Sequence, residues 1–182
     1  MTDEPLKWIK NQHASLDEAK EVVDRLLPDG VSEEAHAFHA QIPGYEVTPL
    51  KSLSQLARRL GVGNIWVKDE SARMGLNAFK ALGGSFAIYR FICEKLGQSG
   101  LSFVELMSDD TRQQLGDLTF TSATDGNHGK GLAWAAQKLG FPCVIYVHEH
   151  TTQARIDSIA QYGAEVRVVD GDQAAELVAA GH

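Results

Sequence analysis

Two short stretches carry the residues able to do chemistry. The first is Asn77-Ala78-Phe79-Lys80-Ala81-Leu82-Gly83-Gly84, where one lysine stands among apolar residues at the start of a helical pattern. An amine in an apolar pocket loses its proton readily, because desolvation disfavours the ammonium. The neutral amine can then form a Schiff base with a carbonyl compound. The plainer alternative is that Lys80 snorkels to solvent from the first turn of an ordinary helix. The second stretch is Thr121-Ser122-Ala123-Thr124-Asp125-Gly126-Asn127-His128-Gly129. It leaves a strand pattern and opens a helix, whose N-terminal N–H groups and dipole attract anions. Gly126 and Gly129 allow a ligand close to the backbone. Such a turn suits a carboxylate or a phosphate; the alternative is a strand-to-helix turn in which Asp125 or Asn127 only caps the helix. The spacing is not that of a dinucleotide loop, a G-x-x-x-x-G-K-[ST] phosphate loop or a G-x-S-x-G nucleophile elbow.

The elements around these stretches follow from periodicity. Residues 1–43 read as a helical arm. Ser15-Leu16-Asp17-Glu18 fits a capping box ahead of Leu16, Ala19, Val23, Leu26 and Leu27. Ser32 is placed to cap a second short helix through Phe38 and His39, ended by Pro43-Gly44. Residues 44–182 read as a second, catalytic portion. There Ser52 is placed to cap a helix ended by Gly61, and residues 64–69 alternate as a strand. Residues 70–77 are a polar connection to Lys80, and a helix follows as far as Gly97. Residues 97–117 read as a mobile surface excursion with a short helical pattern. Strands over 118–122, 143–147 and 165–169 alternate with helices, the first following the Asp125–Gly129 turn over Leu132, Ala133, Ala136 and Leu139, the others over 151–162 and 172–180. That order predicts an α/β fold, a parallel sheet flanked by helices.

Composition narrows the function. The 182 residues carry a net charge of −7 with no basic stripe, which argues against nucleic acid and anionic membranes as partners. No apolar run is long enough for a bilayer, and the start lacks the regions of a signal peptide. Cys93 and Cys143 lie far apart in apolar patterns and read as core thiols of a reducing, cytoplasmic protein. His36 and His39 share a helical face without a third ligand, so they read as packing or surface residues and no metal site is expected. The last helical pattern reaches the final residues without a cap, and the sheet has few strands. The expectation is a fragment of a longer protein.

Lys68-Asp69-Glu70-Ser71, Asn77-Ala78-Phe79-Lys80 and Thr124-Asp125-Gly126-Asn127-His128-Gly129 together resemble a known family. It is that of the pyridoxal-phosphate enzymes of the tryptophan-synthase-β-like fold, fold type II, which includes threonine and serine dehydratases, threonine synthase and cysteine synthase. Many members read Ser-Ser-Gly-Asn-His at the second motif, and here Asp125 replaces the second serine. That substitution, with Gly75-Leu76-Asn77-Ala78-Phe79-Lys80 and the segment from Phe38 to Thr48-Pro49-Leu50, is most similar to the diaminopropionate ammonia-lyases within the family.

The resemblance implies pyridoxal 5'-phosphate held by Lys80 as a Schiff base. Phe79 then packs near the cofactor ring and Asn127 hydrogen-bonds its 3' oxygen. Thr124, Asp125, Gly126, Asn127 and His128 form the substrate loop, with His128 supporting it. Lys80 and Asp125 are the expected catalytic pair, and the substrate is a small amino acid. The implied reaction releases ammonia from 2,3-diaminopropionate, in a homodimeric full-length form. The alternatives are a serine or threonine dehydratase, or a catalytically silent remnant that only binds. The family's glycine-rich phosphate loop, its residue facing the pyridine nitrogen and the lyase's second aspartate lie downstream of these motifs and are not among the 182 residues. The chain by itself is therefore expected to be inactive.

Overall fold

The computed structural model describes residues 16–170. The expected Ser15 cap and the helix over 172–180 lie outside the described residues. Contacts divide the chain into two compact units between His36 and Ala37. The first contains α1 (Leu16–Leu26) and most of α2 (Val31–His39). Ser32 does not cap α2. Gly30 precedes the helix with φ +84°, its carbonyl accepts from the Glu34 N–H, and the Ser32 hydroxyl donates to Glu33 inside the first turn. The helix runs through Phe38 and His39 as expected, and turns closed by the Gln41 and Ile42 N–H groups carry the chain on to Pro43.

The second unit starts with the end of α2, and Phe38 and Ile42 belong to its core. Strands β1 (Leu50–Ser52) and β2 (Trp66–Lys68) pair antiparallel around α3 (Ser54–Leu60). Ser52 is a strand residue opposite Trp66, not the expected cap. The ladder continues through the Leu53 N–H to the Ile65 carbonyl, so the helix begins only after Leu53. Helix α4 (Lys80–Leu96) ends on a left-handed Gly97, as the sequence indicates. Residues 97–117 are more ordered than the sequence suggests. Ser102 and Glu105 form a capping box on α5 (Phe103–Leu106), which buries Phe103 and Leu106 in the core, and Ser108 caps α6 (Asp109–Leu115). Two capped turns, the first burying Phe103 and Leu106 and the second Thr111, stabilise a segment that looks gapped in sequence.

The parallel sheet is β3 (Phe120–Ala123), β4 (Cys143–His148) and β5 (Glu165–Val169), in that order. Helix α7 (Asn127–Leu139) joins β3 to β4, and α8 (Gln153–Ala160) joins β4 to β5. The α/β expectation with a parallel sheet and flanking helices is met. Cys93 and Cys143 are both free and buried, and burial pushes the Cys143 thiol up to about 11. Among the described residues no helix is long and apolar enough to cross a membrane.

The seam between α4 and α7 holds this unit together around the chemistry-bearing residues. The buried face of α4 is Ala81, Gly84, Ser85, Ile88, Tyr89, Ile92 and Cys93, at helical spacing. It meets α7 where Gly84 faces the backbone of Gly131 and Leu132, close enough that an added Cβ would lie 3.4 Å from the Leu132 nitrogen. A Cβ added at Gly131 would lie 2.9 Å from the carbonyl carbon and oxygen of Lys80. A Cβ added at Gly83, one turn into α4, would meet nothing within 4 Å. Gly131→Ala should therefore destabilise the fold by about 1–3 kcal/mol through overpacking. Gly83→Ala should stabilise it by up to about 1 kcal/mol through helix propensity. Chemical denaturation of both variants checks the contrast.

Candidate active site

Lys80 opens α4, with Phe79 as the residue before the helix. Its side chain is exposed, and its Nζ lies 5.2 Å from the centre of the Phe79 ring, which is itself 58% exposed. The lysine is presented at the surface of this unit, as the plainer reading of the sequence anticipates. The backbone beneath it is fixed from three directions. Gly131 of α7 packs against the Lys80 carbonyl. His39, buried at the end of α2, donates from Nε2 to the Leu82 carbonyl at 3.0 Å and contacts Ser85 Oγ at 3.1 Å. Lys130 Nζ donates to the Leu76 carbonyl at 3.2 Å, tying α7 to the loop that precedes Lys80.

That loop is anchored by a buried ion pair. Arg73 donates from Nε to Glu70 Oε2 at 2.7 Å, from Nη2 to Glu70 Oε1 at 3.0 Å and to Thr48 Oγ1 at 2.9 Å, and from Nη1 to the Glu46 carbonyl at 2.7 Å. Thr48 donates to Glu70 in turn, and Lys68 donates to the Thr48 carbonyl. Beyond this anchor the chain turns sharply: Met74, Gly75 and Asn77 all have positive φ, at 48°, 74° and 59°. Glycine and asparagine tolerate that region, whereas a methionine there costs about 1–2 kcal/mol. The arginine hydrogen bonds and the buried Leu76 on either side hold this strained turn in place.

The second motif lies where the carboxyl ends of β3 and β4 face the helix starts. The Thr124 N–H extends the sheet to the Tyr146 carbonyl, and Gly126, in extended conformation, precedes α7 without a side-chain cap. Asp125 is therefore not the helix cap; it pairs instead with Arg155 of α8, at 2.5 Å from Nη1 to Oδ2. The first N–H groups of α7, at Asn127, His128 and Gly129, are the donors that a helix leaves without intrahelical partners. A Cβ at Gly126 would meet nothing within 4 Å, so there is open space beside the turn. At Gly129 it would come within 3.1 Å of Thr124 and 3.2 Å of Ile145, so glycine lets the helix pack closely there. Asn127 lies four residues before Gly131, roughly 6 Å of helix rise from the point that touches Lys80. The structure thus brings Phe79, Lys80 and the Thr124–His128 turn to one end of the α4–α7 seam.

Sequence reasoning missed Gly131, Arg73 and Arg155. Glycine spacing through 126, 129 and 131 and the Glu70-x-x-Arg73 pattern were signals for the first two. Nothing local in the sequence links Arg155 to Asp125. Among the described residues no cluster of three or more His, Cys, Asp or Glu side chains is arranged to hold a metal.

Comparison with known proteins agrees with this geometry. The family model described as pyridoxal-phosphate dependent enzyme matches residues 42–181. The chain belongs to this family. The diaminopropionate ammonia-lyase of Escherichia coli K12 is 50% identical to it over 148 residues, 80% of this chain and 36% of that protein. The Salmonella typhimurium enzyme of the same name is 45% identical over 147 residues, again 80% and 36%. A crystal structure of the E. coli lyase, in complex with an aminoacrylate-PLP azomethine reaction intermediate, superposes with a TM-score of 0.73 at 43% identity. The match covers 86% of this chain and 39% of that one. The chain thus spans little more than a third of the length of these relatives.

The residues described fit one side of the family's cofactor. They supply a solvent-accessible primary amine, an adjacent aromatic ring, an asparagine and a helix N-terminus beside open space.

The Glu70–Arg73 pair makes the loop before Lys80 sensitive to pH. Arg73 beside it holds the Glu70 carboxyl below its ordinary 4.5. A carboxyl depressed in the folded state stabilises the fold above its unfolded value and ceases to do so as pH falls through the folded value. Glu70→Gln should therefore cost about 3 kcal/mol near neutral pH, because it strands a buried guanidinium. The difference from the unsubstituted protein should shrink as the pH falls below 4.5. Denaturation curves across that range measure it.

Proposed function

We propose that the protein eliminates ammonia from 2,3-diaminopropionate with pyridoxal phosphate as cofactor. With one water consumed, the products are pyruvate and two molecules of ammonia. The observation that carries this reading is that the α4–α7 seam brings the start of α4, with its amine, and the turn before α7, with its carboxylate, to the same end. Its support is the likeness to the diaminopropionate lyases over most of the described residues. In this reading Lys80 carries the cofactor, which when bound supplies an electron sink for the charge left at Cα. Phe79 covers the ring, Asn127 donates to its 3' oxygen and His128 supports the turn. N–H groups of the Thr124–His128 turn receive the substrate carboxylate.

Asp125 sets the substrate apart from serine and threonine. Diaminopropionate has a second amine, cationic in water, and an ionised carboxylate at Asp125 favours it over a hydroxyl. That carboxylate can also remove the Cα proton where it reaches it. Lys80 then serves one enantiomer, the L form, and Asp125 the other, the D form, whose Cα proton points to the opposite face. The protein works as a homodimer in the cytoplasm and takes neither nucleic acid nor membrane as a partner.

Two variants test this in the full-length, cofactor-loaded protein. Lys80→Ala should lose both the cofactor's visible absorbance band and ammonia release, and retention of both contradicts the assignment. Asp125→Asn removes the charge and keeps the shape. It should lower D-diaminopropionate turnover by about 10²–10⁴-fold and affect the L form much less. Asparagine caps a helix about as well as aspartate, so a merely structural Asp125 leaves both enantiomers near normal.

A further inference from the structure

The turn before α7 sets a problem that its own residues do not solve. A substrate carboxylate arriving at the Gly126–His128 N–H groups would meet the carboxylate of Asp125 on the same turn. Like charges a few ångströms apart disfavour binding, even where solvent weakens the effect. The structure places a cation against Asp125 from outside the motif. Arg155 lies in the first turn of α8, and its Nη1 is 2.5 Å from Asp125 Oδ2. The pair bridges two neighbouring strand-to-helix connections, β3 to α7 and β4 to α8, at the carboxyl ends of adjacent parallel strands. In doubly wound sheets that edge is where ligands bind.

We infer that Arg155 is a positioning and charge-balancing residue for substrate binding. It neutralises Asp125, so that the turn accepts a carboxylate while keeping an acidic group for the substrate's second amine. This rests on the reading of the turn as the substrate-carboxylate site. Both side chains are largely solvent-exposed, at 60% for Arg155 and 47% for Asp125. Exposed pairs of this kind contribute little to stability. The pair's effect should therefore appear in binding and leave folding nearly untouched. It should also act on the carboxylate of a ligand and not on its amine. In the same pair Arg155 holds Asp125 to one side of the turn until a substrate ammonium competes for the carboxylate.

The test compares two probes on the full-length, cofactor-loaded protein, glycine and methylamine. They differ only in the carboxylate, and neither has a β leaving group. Each dissociation constant is read from the change in cofactor absorbance, without turnover. Arg155→Gln should weaken glycine about tenfold and leave methylamine unchanged. Arg155→Lys, which keeps the charge, should recover most of the loss. The double variant Asp125→Asn with Arg155→Gln should recover it too, since the carboxylate that needed balancing is gone. Equal losses for both probes, or a loss for glycine that the double variant does not repair, overturn the inference and make Arg155 a structural residue. Unchanged glycine binding in Arg155→Gln overturns it while leaving the proposed function standing. If neither probe alters the absorbance of the unsubstituted protein, the functional reading fails and this inference fails with it.

Discussion

The described fold depends on one close approach, α7 against the carbonyl of Lys80. Two helices normally pack with their axes 8–10 Å apart. Here a single methyl group at Gly131 would collide with the Lys80 main chain. The two helices bury Ile88 and Ile92 of α4 and Ala133, Ala135 and Ala136 of α7 in one continuous core. The core that stabilises the unit therefore also fixes the spacing between the lysine and the turn at the start of α7. Stability and site geometry come from the same contacts, so a change that loosens one loosens the other.

A second layer supports the lysine from its N-terminal side. Arg73 is nearly inaccessible and fully engaged by Glu70, Thr48 and the Glu46 carbonyl. Removing one partner from such a network leaves a buried charge without compensation. The network fixes the exit of the β1–β2 portion, and the left-handed turn at Met74–Asn77 then redirects the chain into α4. Strain of this kind persists where the surroundings over-determine the conformation. The His39 contact to Leu82 completes the support from the opposite direction.

Much of this was legible in the sequence, for identifiable reasons. The parallel strands announce themselves because Cys143–Val147 is an unbroken apolar run, the mark of a strand covered on both faces. Helices α4 and α7 are legible from their apolar spacing and their terminal glycines, and Lys80 and the Thr124–His128 turn from the motifs. Cap placement was less legible. Ser32 and Ser52 are good capping residues by type, but a preceding glycine and a strand pairing decide where those helices begin. Residues 97–117 look like surface because their apolar positions are few, yet Phe103 and Leu106 are buried by elements distant in sequence. The Asp125–Arg155 pair spans thirty residues and two helices. Local periodicity carries no information about such a contact.

The central claim is that the α4–α7 seam presents Lys80, among all the lysines of the chain, to the cofactor. Borohydride reduction of the full-length, cofactor-loaded protein, followed by proteolysis and mass spectrometry, tests it most directly. Reduction fixes the cofactor to the amine that holds it. The account predicts the pyridoxyl modification on the peptide containing Lys80 and its near-absence elsewhere. Modification centred on another lysine, such as Lys130 or Lys68, or spread evenly over exposed lysines, contradicts it.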